Sequence, residues 1–438
     1  MGRGTRRGPK QLQFRALIDS LGSAVDQIAD SREEGKVTYA LQDCFRSAFA
    51  MFYFQDPSLL AFQKRIEEQI HRTNLTTQFR VDSIPSDSQL RDVLDVHDYG
   101  PLKGVYRQWF NRLQRCKQLE RYQYFGDRYL ITLDGSQYFN SEKIHCHRCL
   151  HKEKSNGHTE YYHQVLQSAL VHPDRREVIP LAPEFIRMLD GSNKQDCETV
   201  AALRTVKKIR SEHRQLPAVI VGDALYATET FITALTKQRF SFLLGVKPGS
   251  HSTLFEDIAG FRHGGLLDRL ERTNPDGRRH LYEWVAEVPL YATANSPVVN
   301  FVEFQIFDAT GKRTRHFSWI TDLPVTDQTI EELVRGARSR WKIENETFNT
   351  LKNHGYHLEH NFGHGASYLS EAFFVLNTLA FFMHQIFALV DGLYQAARGR
   401  FSSRQEYWNI IRASLQLMVF DSWDHLLERI HSPPLPAP

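Results

Sequence analysis

At 438 residues the chain is longer than one compact hydrophobic core usually supports, so two or three domains are expected. Its 41% hydrophobic and 24% charged residues are typical of a soluble globular protein, and five cysteines are too few for a disulfide framework. Because the N-terminus also lacks the apolar stretch of a signal peptide, we expect a cytoplasmic protein. The net charge of +3 proves no polyanionic partner, although cations cluster in residues 1–10, 204–214 and 335–342.

The first 125 residues are predicted to be mainly helical. Apolar residues recur at three- and four-residue spacing in 14–29 and 41–54, and a proline-containing break precedes an amphipathic stretch at 83–96. A basic and aromatic helix is expected at 105–125. From its position and its charge, we interpret 1–125 as an N-terminal DNA-binding domain.

An α/β core is predicted from residue 126 onward. Three strand-like runs come first, and helices then alternate with strands, which favours a mixed sheet flanked by helices. The predicted strands are 129–139, 161–173, 176–185, 217–227 and 240–248, and the predicted helices are 196–214 and 229–238. This first part of the core is taken to end at residue 249.

Residues 250–315 interrupt the alternation and are predicted to form a β-rich insertion, because apolar and polar residues alternate there between turn signals. The core resumes over 316–365, where residues 326–355 are predicted to form one long helix that begins at Thr326 or Asp327 and ends at Gly355.

A C-terminal helical region is predicted over 366–438. Within it, residues 372–390 are apolar enough to suggest a membrane span. Because this stretch contains Asn377, His384 and Gln385, we interpret it instead as a buried core helix and expect no membrane partner.

Three acidic residues stand in positions typical of a metal site. Asp134 and Asp223 each end an apolar run, and Glu344 lies four residues after Arg340, so that both side chains share one helix face. Three carboxylates are the smallest protein set that can hold two divalent metals for phosphodiester chemistry. Taken singly, each aspartate is equally compatible with a turn or a helix cap, and Arg340–Glu344 with an exposed salt bridge.

The sequence motifs around these acids resemble those of the DDE transposases of bacterial insertion sequences. The likeness covers about residues 130–365 and rests on DGS at 134–136, GDALY at 222–226, RWKIE at 340–344 and FNTLK at 348–352. The chain is most similar to insertion-sequence family four, which has a Y-x2-R-x3-E-x6-K signature.

That resemblance implies an RNase H-like core with a β-rich insertion before the glutamate. It also implies two Mg²⁺ ions, with Mn²⁺ as a substitute, and double-stranded DNA partners, namely terminal inverted repeats and target DNA. The implied activity is cleavage at transposon ends and transfer of 3′-hydroxyl ends into target DNA. A homodimer in the DNA complex and a place at the nucleoid are expected.

Carried over to this sequence, the catalytic metal ligands are Asp134, Asp223 and Glu344, while Arg340 would hold a phosphate near the cut. Glu346 competes with Glu344, because it lies six residues before Lys352. Glu344 is preferred because both the R-x3-E and the W-x-I-E spacings select it.

The sequence departs from the signature at two places. Ala337 occupies the tyrosine position, and Leu351 occupies the lysine position. Lys352 comes one residue late, eight residues after Glu344, which turns it about 80° off the Glu344 face of a regular α-helix. The predicted DNA contacts are Arg340, Lys342, Asn349 and Lys352, with Trp284 and Trp319 as candidates to stack on a flipped base.

A loop rich in cysteine and histidine follows the first aspartate. Its spacing, C-x2-C-x8-H-x4-H, makes Cys146, Cys149, His158 and His163 a candidate structural Zn²⁺ site. His145, His147 and His151 keep the ligand set open, and reduced cysteines with phosphate-contacting histidines are the alternative. The later histidines, His354, His357, His360 and His364, are predicted to lie at the surface or near DNA rather than on a metal.

Three functions remain in competition at this point. The first is a Mg²⁺-dependent DNA transposase. The second is a DDE-type nuclease, or an inactive descendant, that cannot transfer strands. The third is a DNA-binding protein whose carboxylates are structural.

Overall fold

The computed structural model describes residues 7–67, 73–188 and 196–432. Five helices precede the sheet: α1 Phe14–Val25, α2 Leu41–Tyr53, α3 Leu59–Glu67, α4 Asp87–Val96 and α5 Lys103–Arg115. Short 3-10 turns lie at Lys10–Leu12, Glu34–Lys36, Gly100–Leu102 and Leu119–Tyr122, and a π-helical turn spans Leu75–Phe79. The first six residues of the basic N-terminal stretch lie outside the described residues.

The sheet begins with β1 Gln123–Tyr124, β2 Arg128–Ser141, β3 Leu150–Glu153, β4 Thr159–Val171, β5 Ile179–Pro180 and β6 Glu184–Ile186. It continues through α6 Glu198–Glu212, β7 Ala218–Gly222, α7 Glu229–Lys237, β8 Ser241–Gly245 and α8 Ser252–His263. The remaining strands are β9 Asp268–Thr273, β10 Arg279–Pro289, β11 Val298–Phe307 and β12 Arg313–Thr321.

After the sheet come α9 Ile330–Arg338, a π-helical segment Ile343–Phe348 and α10 Asn349–Asn353. The chain then forms α11 Leu369–Val390, α12 Gly392–Arg398, α13 Arg404–Leu417 and α14 Trp423–His431.

The strand order confirms the predicted fold class, an RNase H-like mixed sheet flanked by helices. β4 pairs antiparallel with β2 on one side and with β5 and β6 on the other. β7 then runs parallel to β2, and β8 runs parallel to β7. β7 is apolar at every position and is buried on both faces, as expected for a central parallel strand.

The predicted β-rich insertion does not stand apart from this sheet. β12 pairs antiparallel with β8, and β11, β10 and β9 follow in order, which gives one sheet of 12 strands. Residues 317–321 therefore return to the main sheet, as their sequence predicted.

Helices from both ends of the chain pack around α11. This helix contacts α2, α4 and α5, and 89% of its most apolar window is buried inside the protein. It is long and apolar enough to cross a membrane, but it is buried like the core helix that the sequence predicted. Phe14 of α1 stacks on Phe387 of α11 and on Trp423 of α14, so the N-terminal helices share a core with the C-terminal ones. The proposed division into five segments stays a prediction.

The start of α11 is capped from another helix. The Asp95 carboxylate of α4 accepts hydrogen bonds from the backbone N–H groups of Ala366, Ser367, Tyr368 and Leu369, at 2.7–3.0 Å. These bonds satisfy the donors that a helix N-terminus leaves free. Burial opposes ionisation of Asp95, but the four bonds hold its pKa below the usual value. The chain just before α11 is therefore fixed in place.

The single long helix predicted over 326–355 is wrong. α9 begins only after Thr329 and ends at Arg338, where the buried Ser339 hydroxyl donates to the Gly336 carbonyl oxygen. Such a side-chain bond competes with the regular helical pattern. The chain then turns and re-enters helix through the π-helical segment that carries Glu344. π-helical turns are rare and are frequent at functional sites.

Candidate active site

Asp134 and Asp223 lie side by side at one level of the sheet. In the parallel pair β2–β7, Thr132 is the register partner of Val221, and each aspartate lies two residues further along its own chain. Residues two apart on a strand face the same side, and neighbouring strands are about 4.8 Å apart. Asp223 follows the last residue of β7, whereas Asp134 lies within β2, which runs on to Ser141. The prediction that both aspartates end their strands is therefore right only for Asp223.

Glu344 reaches this part of the sheet from the π-helical segment, which contacts β2 and β4. Its carboxylate pairs with the Arg340 guanidinium at 2.6 Å, the i, i+4 partner that the spacing predicted. Glu346, the competing acid, points elsewhere and pairs with Arg176 at 3.5 Å. The helical segment therefore directs the two glutamate side chains to different partners.

The three acids influence one another electrostatically. Burial raises the pKa of Asp134 to about 7; the Arg340 charge opposes this shift, and the negative charges of Glu344, Glu198 and Asp223 add to it. Their oxygen atoms are nevertheless further apart than in a closed metal site. Within the described ranges, the only group of three or more ligating side chains with all donor atoms within 4.8 Å is made of cysteines and histidines.

Glu198 is a fourth carboxylate that the sequence analysis missed. It is the first residue of α6 and accepts hydrogen bonds from the Tyr226 hydroxyl at 2.6 Å and from Gln164 Nε2 at 3.2 Å. A side chain at Gly135 would overlap the Glu198 carboxylate, so the glycine after Asp134 permits this close approach. A glycine inside a strand signals a close neighbour, but it does not reveal which residue that neighbour is.

The raised pKa of Asp134 predicts that replacing it stabilises the protein when no Mg²⁺ is added. Between pH 3.8 and about 7 the folded chain binds the Asp134 proton more tightly than the unfolded chain, so stability falls as the pH rises. At pH 8 the ionised carboxylate costs up to about 4 kcal/mol, since one pKa unit is worth about 1.4 kcal/mol. Asp134→Asn should therefore raise the urea midpoint at pH 8 and have little effect at pH 4. Equal midpoints at pH 8 would contradict the burial of the Asp134 carboxylate beside other negative charges.

Lys342 is not available to DNA, which corrects its predicted role. It is 5% exposed, and its Nζ donates to the Arg175 carbonyl oxygen at 2.6 Å. Burial also lowers its pKa. This lysine ties the start of the π-helical segment to the chain after β4, because its aliphatic stem is long enough to carry the ammonium group to a backbone acceptor.

Lys352 and Asn349 remain on the accessible side of the segment. Lys352 Nζ pairs with Glu359 at 2.8 Å and lines a cleft with Gln137 and Asn140 of β2. A π-helical turn holds about one residue more than an α-helical turn. The eight residues from Glu344 to Lys352 therefore rotate about the helix axis by about as much as seven residues of a regular α-helix. The expected 80° offset is thus wrong for this helix. Asn349 accepts a hydrogen bond from Asn353 at 2.7 Å.

The two tryptophans predicted to stack on a flipped base are buried, which corrects that prediction. Trp284 is 2% exposed and Trp319 is 7% exposed, and both belong to the extended part of the sheet. Trp341 is instead 47% exposed and lines a cleft with Arg315, Arg338 and Arg340. Its place in the RWKIE motif was visible in the sequence, but its exposure depends on the break after α9.

Two of the five cations in the basic stretch at 204–214 are engaged within the protein. Arg204 pairs with Glu184 and Asp196, and Arg210 donates to backbone carbonyl oxygens and lies over the Phe240 ring. This stretch therefore supplies less free positive charge than its composition predicts.

The predicted zinc ligands are brought together only in part. Cys146, Cys149 and His163 meet, but His158 is 64% exposed and lies 4.0 Å from Glu142 instead. The fourth member of the group is His364, which the sequence placed at the surface or near DNA. That prediction failed because His364 comes about 200 residues after His163, so no local spacing connects them.

Comparison with known proteins found a family match and similar solved structures. Residues 144–382 match the transposase DDE domain family, a range that includes Asp223 and Glu344 and begins after Asp134. The cryo-EM structure of a piggyBac transposase synaptic complex with hairpin DNA is similar over 98% of this chain and 85% of that chain, with 11% sequence identity and a TM-score of 0.41. A score this low adds no detail of chemistry, and no curated protein matches the chain.

The family match does not single out insertion-sequence family four, so that subdivision stays a prediction. Transposase is nevertheless the class of protein that the match identifies. Since the matched range is more than half of the 438 residues, the chain belongs to the transposase DDE domain family.

Proposed function

We propose that the protein is a Mg²⁺-dependent DNA transposase that cuts at the terminal inverted repeats of its element and joins the 3′-hydroxyl ends to target DNA. The observation that carries this proposal is the level position of Asp134 and Asp223 on neighbouring parallel strands, with Glu344 close enough to affect the pKa of Asp134. The resemblance noted in the sequence implies the same three acids, and the family match covers Asp223 and Glu344.

The acids fit divalent magnesium. Mg²⁺ prefers hard oxygen ligands, and Asp134 is largely buried among other negative charges that a cation would offset. When bound, two such ions neutralise charge on the attacking and leaving oxygens of the phosphodiester. Asp134, Asp223 and Glu344 would hold them, with Mn²⁺ as a substitute, while Glu198 keeps its hydrogen bonds to Tyr226 and Gln164.

Arg340 has two roles in this proposal. It pairs with Glu344, and this pair is partly exposed. Once Glu344 turns to the cations, the guanidinium is free to bind a backbone phosphate through paired N–H donors. Lys352 and Asn349 lie further along the same segment and extend the phosphate-binding edge.

Trp341 is the proposed base-stacking residue, in place of Trp284 and Trp319. An exposed indole in a cleft lined by three arginines suits an unpaired base joined to phosphates. Trp341→Ala is expected to weaken binding to DNA ends with unpaired terminal bases by roughly 5–150-fold, since stacking contributes about 1–3 kcal/mol per base. Fluorescence anisotropy measures this loss.

The Trp341→Phe variant is the control, and it should keep most of the affinity. Because Trp341 is exposed, both variants should have the melting temperature of the wild type. Unchanged affinity in Trp341→Ala would remove this residue from the DNA surface.

The experiment that tests the function uses a labelled duplex made from the inverted repeats that flank the coding sequence. With Mg²⁺, the protein should release the 3′ ends and join them to a circular plasmid, producing labelled linear plasmid. Release of ends without joining would indicate a nuclease that lacks strand transfer. Binding without cleavage in either Mg²⁺ or Mn²⁺ would leave only a DNA-binding protein.

The homodimeric assembly and the cytoplasmic, nucleoid-associated location are part of this proposal. Paired ends need two active sites, and each chain supplies one set of the three acids. A two-fold synaptic complex is therefore the expected form on DNA.

A further inference from the structure

Two cysteine sulfur atoms and two histidine nitrogen atoms converge at a place separate from the three acids of the candidate active site. Cys146 Sγ lies 3.9 Å from Cys149 Sγ and 3.7 Å from His163 Nε2. Cys149 Sγ lies 3.6 Å from His163 Nε2 and 3.3 Å from His364 Nε2, and the two Nε2 atoms are 3.1 Å apart. A tetrahedral Zn²⁺ with bonds of about 2.3 Å to sulfur and about 2.05 Å to nitrogen requires edges of roughly 3.4–3.8 Å. The donors thus form a tetrahedron of the size that zinc needs.

The histidine ring that comes from far along the chain is oriented for ligation. His364 Nδ1 lies 2.8 Å from the Gly365 carbonyl oxygen. Since a carbonyl only accepts, Nδ1 must carry the proton, and the lone pair of Nε2 points at the other donors. Metal-bound histidines commonly show this arrangement, because the second hydrogen bond fixes the tautomer and the ring.

Contacts within the protein help to hold the four donors in place. The two cysteines lie in one tight turn, with the Cys149 N–H donating to the Cys146 carbonyl oxygen at 3.1 Å. Arg148, between them, donates to Glu371 of α11 at 3.0 Å. Asp95 fixes the residues just after His364. Three of the four donors are also buried, so polar groups there require a partner.

We propose that Cys146, Cys149, His163 and His364 bind one structural Zn²⁺ ion. All four positions are filled by protein, so no site remains open for substrate, and two thiolates with two imidazoles select zinc over magnesium. The ion joins the loop after β2, strand β4 and the chain between α10 and α11. It thereby clamps the end of the Glu344 segment to the strands beside Asp134.

The first test measures metal in the protein purified without chelators or added zinc. Plasma mass spectrometry should find about one zinc per chain. The Cys149→Ser and His364→Ala variants should each lose most of it, whereas His158→Ala, the matched control from the same loop, should keep it. Replacement of zinc by Co²⁺ should give the intense visible bands of a tetrahedral site.

Two further variants keep the outcome decisive. His364→Cys preserves a ligand and should keep the zinc, which separates loss of ligation from misfolding of His364→Ala. Asp134→Asn should keep the zinc although it cannot cut DNA, so this site and the proposed function can fail independently. Chelation should lower the melting temperature of the wild type by more than about 5 °C.

The proposal is overturned by wild-type protein that contains no zinc and binds neither added Zn²⁺ nor Co²⁺. It is also overturned if His158→Ala loses the metal while His364→Ala retains it. A Cys146–Cys149 disulfide in the protein purified under reducing conditions would equally exclude the site.

Discussion

Glu344→Gln is expected to lower the rate of Mg²⁺-dependent cleavage at least about 10³-fold, whereas Glu346→Gln should leave it nearly unchanged. Both substitutions remove one negative charge from the same π-helical segment, two residues apart. Only Glu344 faces Arg340 and raises the pKa of Asp134. Loss of a metal ligand removes several kcal/mol of transition-state stabilisation, and about 1.4 kcal/mol corresponds to a factor of ten.

The same loss is expected for Asp134→Asn and Asp223→Asn, since each aspartate supplies a ligand that the other two acids cannot replace. Cleavage of an end-labelled inverted-repeat duplex gives the rates, and a gel mobility shift gives the affinity. Affinity should change by less than about threefold, because phosphate contacts rather than acids bind DNA. An Asp or Glu344 variant that cuts at the wild-type rate would remove that residue from the site.

Glu371→Ala is expected to lower the free energy of unfolding by about 3 kcal/mol. Glu371 is 1% exposed and accepts from Arg187 at 2.5 and 2.7 Å, from Arg148 at 3.0 Å and from the Tyr99 hydroxyl at 2.7 Å. Removing one partner of a buried pair leaves the others unpaired, which costs about 3–5 kcal/mol. Arg187 is partly exposed, so the lower end of that range applies.

The urea midpoint of Glu371→Ala should fall accordingly. Asp276→Ala is the control, because its pair with Arg278 lies at the surface of a turn, where solvent screens the interaction and leaves it little effect on stability. Arg148 belongs to the cysteine turn, so Glu371→Ala should also loosen zinc in the proposed site. Equal midpoints for the two variants would show that the buried network does not stabilise α11.

The sheet could be predicted from sequence because its strands are short apolar runs bounded by turn signals. The run before Asp223 is apolar throughout, which is typical of a strand buried between two neighbours. The length of β2 was harder to predict from the sequence. Its second half is half-buried and polar, so the sequence does not reveal that pairing with β4 continues beyond Asp134.

The long helix around Glu344 was harder to predict. Residues 326–355 are good helix formers, and no proline marks the break after Arg338. The break depends on the hydroxyl of Ser339 and on the burial of Lys342 against the Arg175 carbonyl, both of which are properties of the folded chain. Because the break sets the direction of every later side chain, the sequence does not reveal which of the proposed DNA contacts are exposed.

Contacts between residues far apart in the chain were the other feature that the sequence could not predict. Glu198 and His364 join their groups through the fold, and neither has a sequence spacing to the residues it meets. Trp284 and Trp319 illustrate the opposite error, since an aromatic residue in a β-rich region is equally suited to a core or to a base. Local patterns therefore suggested candidate residues, whereas only the structure shows which of them lie together.

The measurement that tests the central claim most directly is anomalous diffraction from Mn²⁺ in crystals of the protein bound to inverted-repeat DNA. Two manganese peaks about 3.5–4 Å apart are predicted, bound by carboxylate oxygens of Asp134, Asp223 and Glu344, with Arg340 turned to a phosphate. Manganese found only elsewhere, or Glu344 still paired with Arg340 and out of reach of both ions, would contradict the assignment of these three acids.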